Sequence, residues 1–155
     1  MSSVFATEYQ KIKWEDLIVD ENKAVKQQLD KIDWDNLDED DDRTQKKIQK
    51  ILDNAPISTK FSGKAVEIVG WIVPLDYSEK GFSEFFLVPY FGACIHSPPP
   101  PANQIIYVKS GKKIDNKTLE YEVHVKGILQ IEKKKTEMGV GGYKIKMDEI
   151  KKKII

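Results

Sequence analysis

Tyr121-Glu122-Val123-His124-Val125-Lys126-Gly127-Ile128-Leu129-Gln130-Ile131-Glu132 is the stretch that decides the fold. Tyr121, Val123, Val125, Gly127, Leu129 and Ile131 share one parity. Glu122, His124, Lys126 and Gln130 take the other, with Ile128 the exception. Period two in hydrophobicity means a strand with one dry face and one wet face. His124 and Lys126 are therefore expected to face solvent, and Val123 and Val125 the core.

The same reading extends outward. Met138-Gly139-Val140-Gly141-Gly142 turns the chain, after which Tyr143, Ile145 and Met147 alternate with Lys144, Lys146 and Asp148. Upstream, Val66 to Leu75 is apolar on both parities around Gly70. That pattern predicts a strand buried on both sides, with Gly70 at a bend or bulge. Phe82 to Tyr90 reads as another strand, Gln104 to Lys109 as a third, and Ser110-Gly111-Lys112-Lys113 as a turn. Five strands near 65–75, 82–90, 104–109, 121–132 and 142–149 predict a mainly β chain. The expected architecture is a five-stranded barrel like that of oligonucleotide/oligosaccharide-binding (OB) domains, preceded by an N-terminal arm with one or two short helices. Its core is expected to hold Val66, Ile68, Leu87, Ile106, Val123, Val125, Leu129, Ile145 and Met147. Such barrels usually carry a helix between the third and fourth strands. Here that segment is short and polar, so a helix from the N-terminal part can plug the barrel end instead.

Two regions follow, an arm and helix over residues 1–60 and a barrel domain over 61–155. The first carries 10 basic and 14 acidic side chains, the second 15 and 11. Trp14-Glu15-Asp16-Leu17 and Trp34-Asp35-Asn36-Leu37 read as two hooks that dock the arm on an apolar surface. Val25, Leu29 and Ile32 are spaced for a short helix between them. Asp38-Glu39-Asp40-Asp41-Asp42 lacks the glycine and later glutamate of a calcium loop. It reads as a solvated turn in which Asp41 or Asp42 caps a helix over Arg43–Asp53, ended by Asn54-Ala55-Pro56.

At 155 residues the chain can bury a core without disulfides or metal. Lys+Arg and Asp+Glu are 25 each, which argues against gripping nucleic acid or anionic lipid with the whole surface but leaves room for a local patch. No apolar run approaches the ~20 residues of a membrane span. One Cys allows no internal disulfide. The Met1–Glu8 stretch has no basic and apolar leader pattern, so by itself it does not direct export; a removed leader would leave a similar start.

The densest unusual stretch runs from Pro89 to Gln104, with Cys94 and His96 two residues apart before four prolines. In extended backbone, residues i and i+2 share a face. A thiolate and an imidazole so placed can meet one ion, zinc or copper. The prolines stiffen the following segment as polyproline II. Against this, zinc normally takes three or four protein ligands, and His124 lies on the wet face of its strand. A lone Cys is also commonly a small buried hydrophobe. A nucleophile reading pairs Cys94 with His96 and Asn103, but no oxyanion site is legible. A third reading stacks single-stranded nucleic acid on Trp71, Phe85, Phe86, Tyr90, Phe91 and Tyr107, without the basic–aromatic alternation that would favour it.

Gly63 to Leu75, then Glu84 to Tyr90, then Gly92-Ala93-Cys94-Ile95-His96 through Pro98-Pro99-Pro100-Pro101-Ala102-Asn103-Gln104-Ile105-Ile106 resembles the bacterial domain-of-unknown-function family numbered 3299. The resemblance spans roughly Phe61 to Ile150, and Trp14-Glu15-Asp16-Leu17 resembles the arm that precedes the domain. It implies an exported envelope protein of Gram-negative bacteria, encoded beside transporter genes, some tied to metal supply. Cys94, His96, Asn103 and Gln104 match the family signature, to which no activity is attached. The expectation is a noncatalytic periplasmic or envelope protein. It binds a transition metal, zinc first, through Cys94 and His96, or an envelope partner through the Cys94–Gln104 loop, with Asn103 and Gln104 as ligand-binding residues. The alternatives are an interaction module of a transporter, with Cys94 and His96 structural, and a single-stranded nucleic-acid-binding barrel. No nucleic-acid partner and no membrane span are expected.

Overall fold

The computed structural model describes residues 7–36, 42–93 and 99–154. Its strands are β1 (Gln10–Lys11), β2 (Ala65–Pro74), β3 (Phe82–Val88), β4 (Ile106–Ile114), β5 (Val123–Gln130), β6 (Lys134–Thr136), β7 (Gly139–Gly141) and β8 (Tyr143–Lys152). The helices are α1 (Lys23–Asp30) and α2 (Asp42–Asp53). Strands β2, β3, β4, β8 and β5 are hydrogen-bonded in that order, and β5 returns to β2 to close the barrel. The β4–β8 pair is parallel and the other four seams are antiparallel. This is the mainly β, OB-like barrel expected from the alternation. β6 and β7 form a separate small hairpin where only a turn was expected.

Parity sets what lies inside. Val66, Ile68, Phe85, Leu87, Ile106, Val108, Val123, Val125, Leu129, Tyr143 and Ile145 fill the barrel, with Met147 packed at its margin. Val123 and Val125 are fully buried, while His124 and Lys126 are partly exposed on the outside. The double-sided apolar pattern of β2 has two causes. One parity enters the barrel; the other, Trp71, Val73 and Leu75, joins a second apolar cluster on the outer wall. Gly70 marks the change of partner along β2: residues 65–70 pair with β5 and residues 71–74 with β3. A side chain at Gly70 would bring Cβ to 2.6 Å from the Val88 carbonyl and 3.1 Å from the Trp14 ring.

The arm completes the barrel. β1 pairs in parallel with β2 at Val66 and Glu67, and the Ile12 N–H donates to the Glu67 carbonyl at 2.9 Å. Trp14 Nε1 donates to the Val69 carbonyl at 2.7 Å. Ile12 and Leu17, from residues 1–60, lie in the same core as the barrel strands. Leu17 reaches that core from a 3-10 turn, Trp14–Leu17, and Leu119 packs against it from a second one, Asn116–Glu120. α1 and α2 do not plug the barrel; they share a small core of Val25, Ile48, Leu52 and Ala55.

Two local expectations are corrected. Trp34 does not dock on the barrel: it is 51% exposed and its Nε1 donates to the Leu29 carbonyl at the end of α1. Four residues past the end of α1, the indole shares the Leu29 carbonyl with the Ile32 N–H, a local acceptor within reach of a chain that has just left the helix. Ser110–Lys113 is not a turn: β4 runs on to Ile114, and its register against β3 slips between Lys109 and Ile114. Ser110 Oγ donates to the Lys112 carbonyl at 2.6 Å, so the turn chemistry is used inside an irregular strand. Of the acidic run, Asp38 to Asp41 lie outside the described residues, and Asp42 opens α2.

Candidate functional site

The outer wall of β2, β3 and β4 is the face on which OB-type barrels take their ligands. Here it is partly roofed. Val73, Phe86, Val88 and Tyr107 from the strands pack with Ala93 and Ile105, which flank the proline-rich loop, and Trp71 and Leu75 lie against them. Phe85 is inside the barrel, so Phe85, Phe86 and Tyr107 are all unavailable for stacking a base. Trp71, Tyr90 and Phe91 remain at the surface. Phe91 is 71% exposed and meets the Trp71 ring edge-on at 5.3 Å, and Tyr90 is 55% exposed beside it. Gly92, at φ 78, turns the chain back so that Ala93 is buried immediately after two exposed rings.

Cys94 and His96 lie outside the described residues, as do Ile95, Ser97 and Pro98. The chain re-enters at Pro99, and Pro100 is buried. Asn103 is fully buried; its Nδ2 donates to Asn22 Oδ1 at 2.5 Å and to the Pro56 carbonyl at 3.0 Å. Its Oδ1 is buried without a hydrogen-bond partner. Gln104 Nε2 donates to the Trp14 carbonyl at 2.9 Å and to the Asn103 carbonyl at 2.8 Å. The Gly142 N–H donates to the Ala102 carbonyl at 2.8 Å. The signature amides thus spend their donors on the arm and the adjoining segment, rooting the loop's C-terminal end.

Asn22 is the residue that sequence reasoning missed. Asp20, Glu21 and Asn22 all have positive φ, at 47°, 55° and 59°. Each left-handed residue costs roughly 1–2 kcal/mol for a side chain with Cβ. The only legible signal was that Asp and Asn tolerate this region better than other residues.

The remaining donors are engaged locally. His124 Nδ1 lies 3.3 Å from Glu67 Oε1 on the outside of the β2–β5 seam. Asp76 accepts from the Ser83 hydroxyl at 2.7 Å, the Ser83 N–H at 3.0 Å and the Glu84 N–H at 2.9 Å. Partial burial would raise its pKa, but these hydrogen bonds outweigh that and hold the carboxyl below its ordinary value. Glu84 accepts from the Tyr107 hydroxyl. Burial first, and then that bond to a carboxylate, push the Tyr107 pKa up. Lys134 Nζ sits 5.0 Å from the Tyr107 ring centre. Among the described residues, no three His, Cys, Asp or Glu side chains gather where they could hold one ion. No helix among them is long and apolar enough to cross a membrane.

A family model described as "Protein of unknown function (DUF3299)" matches residues 14–152, which includes the arm as well as the barrel. The chain belongs to the DUF3299 family. A crystal structure of a DUF3299 family protein from Pseudomonas aeruginosa PAO1 is similar to it, with a TM-score of 0.74 and 28% identity over 96% of this chain and 98% of that one. No curated protein matches the chain. That the DUF3299 match begins at Trp14 fits the geometry, since Trp14 offers both its indole to β2 and its carbonyl to Gln104.

Proposed function

We propose that this DUF3299 member is a noncatalytic protein of the bacterial envelope that presents the Cys94–Gln104 loop as its binding element, with a transition metal, zinc first, held by Cys94 and His96. The observation that carries the reading is the rooting of the loop at both ends. Ala93 is sealed into the outer cluster on one side, and Asn103 and Gln104 are tied to the arm on the other. A short loop with fixed ends and a run of prolines loses little entropy when it binds. The donor pair is a soft thiolate and an imidazole, chemistry that suits zinc. The test is metal content by elemental analysis of protein purified without an affinity tag and dialysed against zinc. One equivalent in the wild type, lost in Cys94→Ser and His96→Ala with circular dichroism unchanged, supports it. A metal-free wild type, or variants that keep the metal, abandons it.

A second reading is favoured by the exposed Tyr90 and Phe91 beside the loop. In it the loop end docks an envelope partner such as a transporter component, and Cys94 and His96 are structural. Aromatic side chains are enriched where proteins meet. Tyr90→Ser with Phe91→Ser would then abolish partner capture without altering metal content.

A further inference from the structure

The chain is neutral overall, yet α2 and the segment around β6 set four lysines around one cleft. Lys46, Lys50, Lys133 and Lys135 line a hollow of about 410 Å³ together with Gln49, Asp53, Asn54 and Val140. Helical spacing puts Lys46 and Lys50 one turn apart on the same face, where like charges repel. Strand alternation sends Lys133 and Lys135 to the cleft and Lys134 away, over the Tyr107 ring. Asp53 is the only carboxylate of the lining, and its Oδ1 already accepts from Gln49 Nε2. Lys133 Nζ is steered by Asn54 Oδ1 at 3.3 Å. Lys46, Lys50 and Lys135 have no ion-pair partner among the described residues. Four ammonium groups thus share a lining with one carboxylate among the described residues.

The floor continues into a second hollow of about 240 Å³ that shares Asp53, Asn54 and Lys133 with the first. Its other walls are Ala55, Ile57, Ala102, Ile131 and Gly142. Ile131 is 41% exposed although it continues the apolar parity of β5. A basic hollow opening into an apolar one calls for a ligand with the same division. We propose that this cleft binds an anionic amphiphile as a free molecule, a phosphate head on Lys46, Lys50, Lys133 and Lys135 and a short alkyl chain against Ile57 and Ile131. Among the described residues, the site meets the Cys94–Gln104 loop only at Ala102. The basic and apolar hollows lie side by side, an arrangement sized for one small amphiphile.

The test is calorimetric titration of the full chain at low salt with octyl phosphate below its micelle concentration, set against inorganic phosphate and octanol. Octyl phosphate is expected to bind at least tenfold more tightly than either, because each control fills one hollow only. Lys50→Gln with Lys133→Gln, both exposed positions that leave the core intact, should weaken it at least tenfold, and Ile131→Ser should weaken octyl phosphate but not inorganic phosphate. Vesicles of phosphatidylglycerol should sediment no more protein than vesicles of phosphatidylcholine. Equal affinity for octyl phosphate and inorganic phosphate would overturn the proposal, as would indifference to the double lysine variant. Sedimentation with phosphatidylglycerol vesicles without octyl phosphate binding would overturn it in favour of a membrane surface.

Discussion

Replacing Tyr143 by Phe removes one oxygen from the point where the arm, the segment after α2 and the barrel meet. The Tyr143 side chain is fully buried. Its hydroxyl donates to the Leu17 carbonyl at 2.8 Å and accepts from the Ser58 N–H at 2.8 Å. Phenylalanine keeps the ring and its packing, so no cavity term arises. What is lost is two hydrogen bonds, leaving an acceptor and a donor without partners. Each such orphan costs about 1–3 kcal/mol when buried. Leu17 is fully buried, whereas Ser58 is half-buried and water reaches it more easily. Removing the hydroxyl also removes its own desolvation cost. The expected loss is therefore roughly 2–3 kcal/mol, the Leu17 carbonyl accounting for most of it. For a chain of this size each 1 kcal/mol lowers Tm by about 2–4 °C. Urea denaturation should show a lower midpoint with an unchanged slope, since the surface exposed on unfolding is the same. Tyr121→Phe is the control: that ring is partly exposed, and the Lys152 ammonium above it at 4.5 Å is kept by phenylalanine. It should fall within about 0.5 kcal/mol of the wild type. A Tyr143→Phe protein as stable as the Tyr121→Phe control would refute the view that this hydroxyl ties the arm to the barrel.

Asn103→Ala should cost about 1–3 kcal/mol, because Asn22 Oδ1 and the Pro56 carbonyl lose their donor, and should speed amide exchange in residues 14–22. Unchanged exchange in the arm would mean that Asn103 does not anchor it. Leu17→Ala, which empties a fully buried position of the barrel core, should destabilise by roughly 2–5 kcal/mol in chemical denaturation. Asp76, with its pKa depressed in the fold, contributes stability that is present above the unfolded value near 3.9 and lost as pH falls through the lower folded value. Stability measured from pH 5 downward should therefore drop less steeply in Asp76→Asn than in the wild type; parallel curves would contradict the Ser83 and Glu84 hydrogen bonds as its cause.

Much of the barrel was legible because strand alternation is a local property. Val123, Val125 and Leu129 point inward, and His124 and Lys126 outward, wherever the sheet closes, since successive side chains must take opposite faces. The apolar runs of β2 and β3, the helix at Lys23–Asp30 and the end of α2 before Pro56 follow from spacing and backbone chemistry alone. Other features depended on what the chain meets in space. Whether Trp14 or Trp34 docks depends on which indole finds a strand carbonyl, and Trp14 found Val69 while Trp34 found its own helix end. That Ser110–Lys113 lies inside a strand depends on β3, which pairs with Lys109 on one side and Ile114 on the other, so the turn-forming residues become an irregularity within β4. The amides of Asn103 and Gln104 stand out in the sequence as a signature, but their partners Asn22, Pro56 and Trp14 are between 47 and 90 positions away. The four lysines of the cleft come from two segments with nothing in common along the chain. Periodicity reports the face a side chain takes, while only the closed barrel brings the arm and the C-terminal end of the loop together.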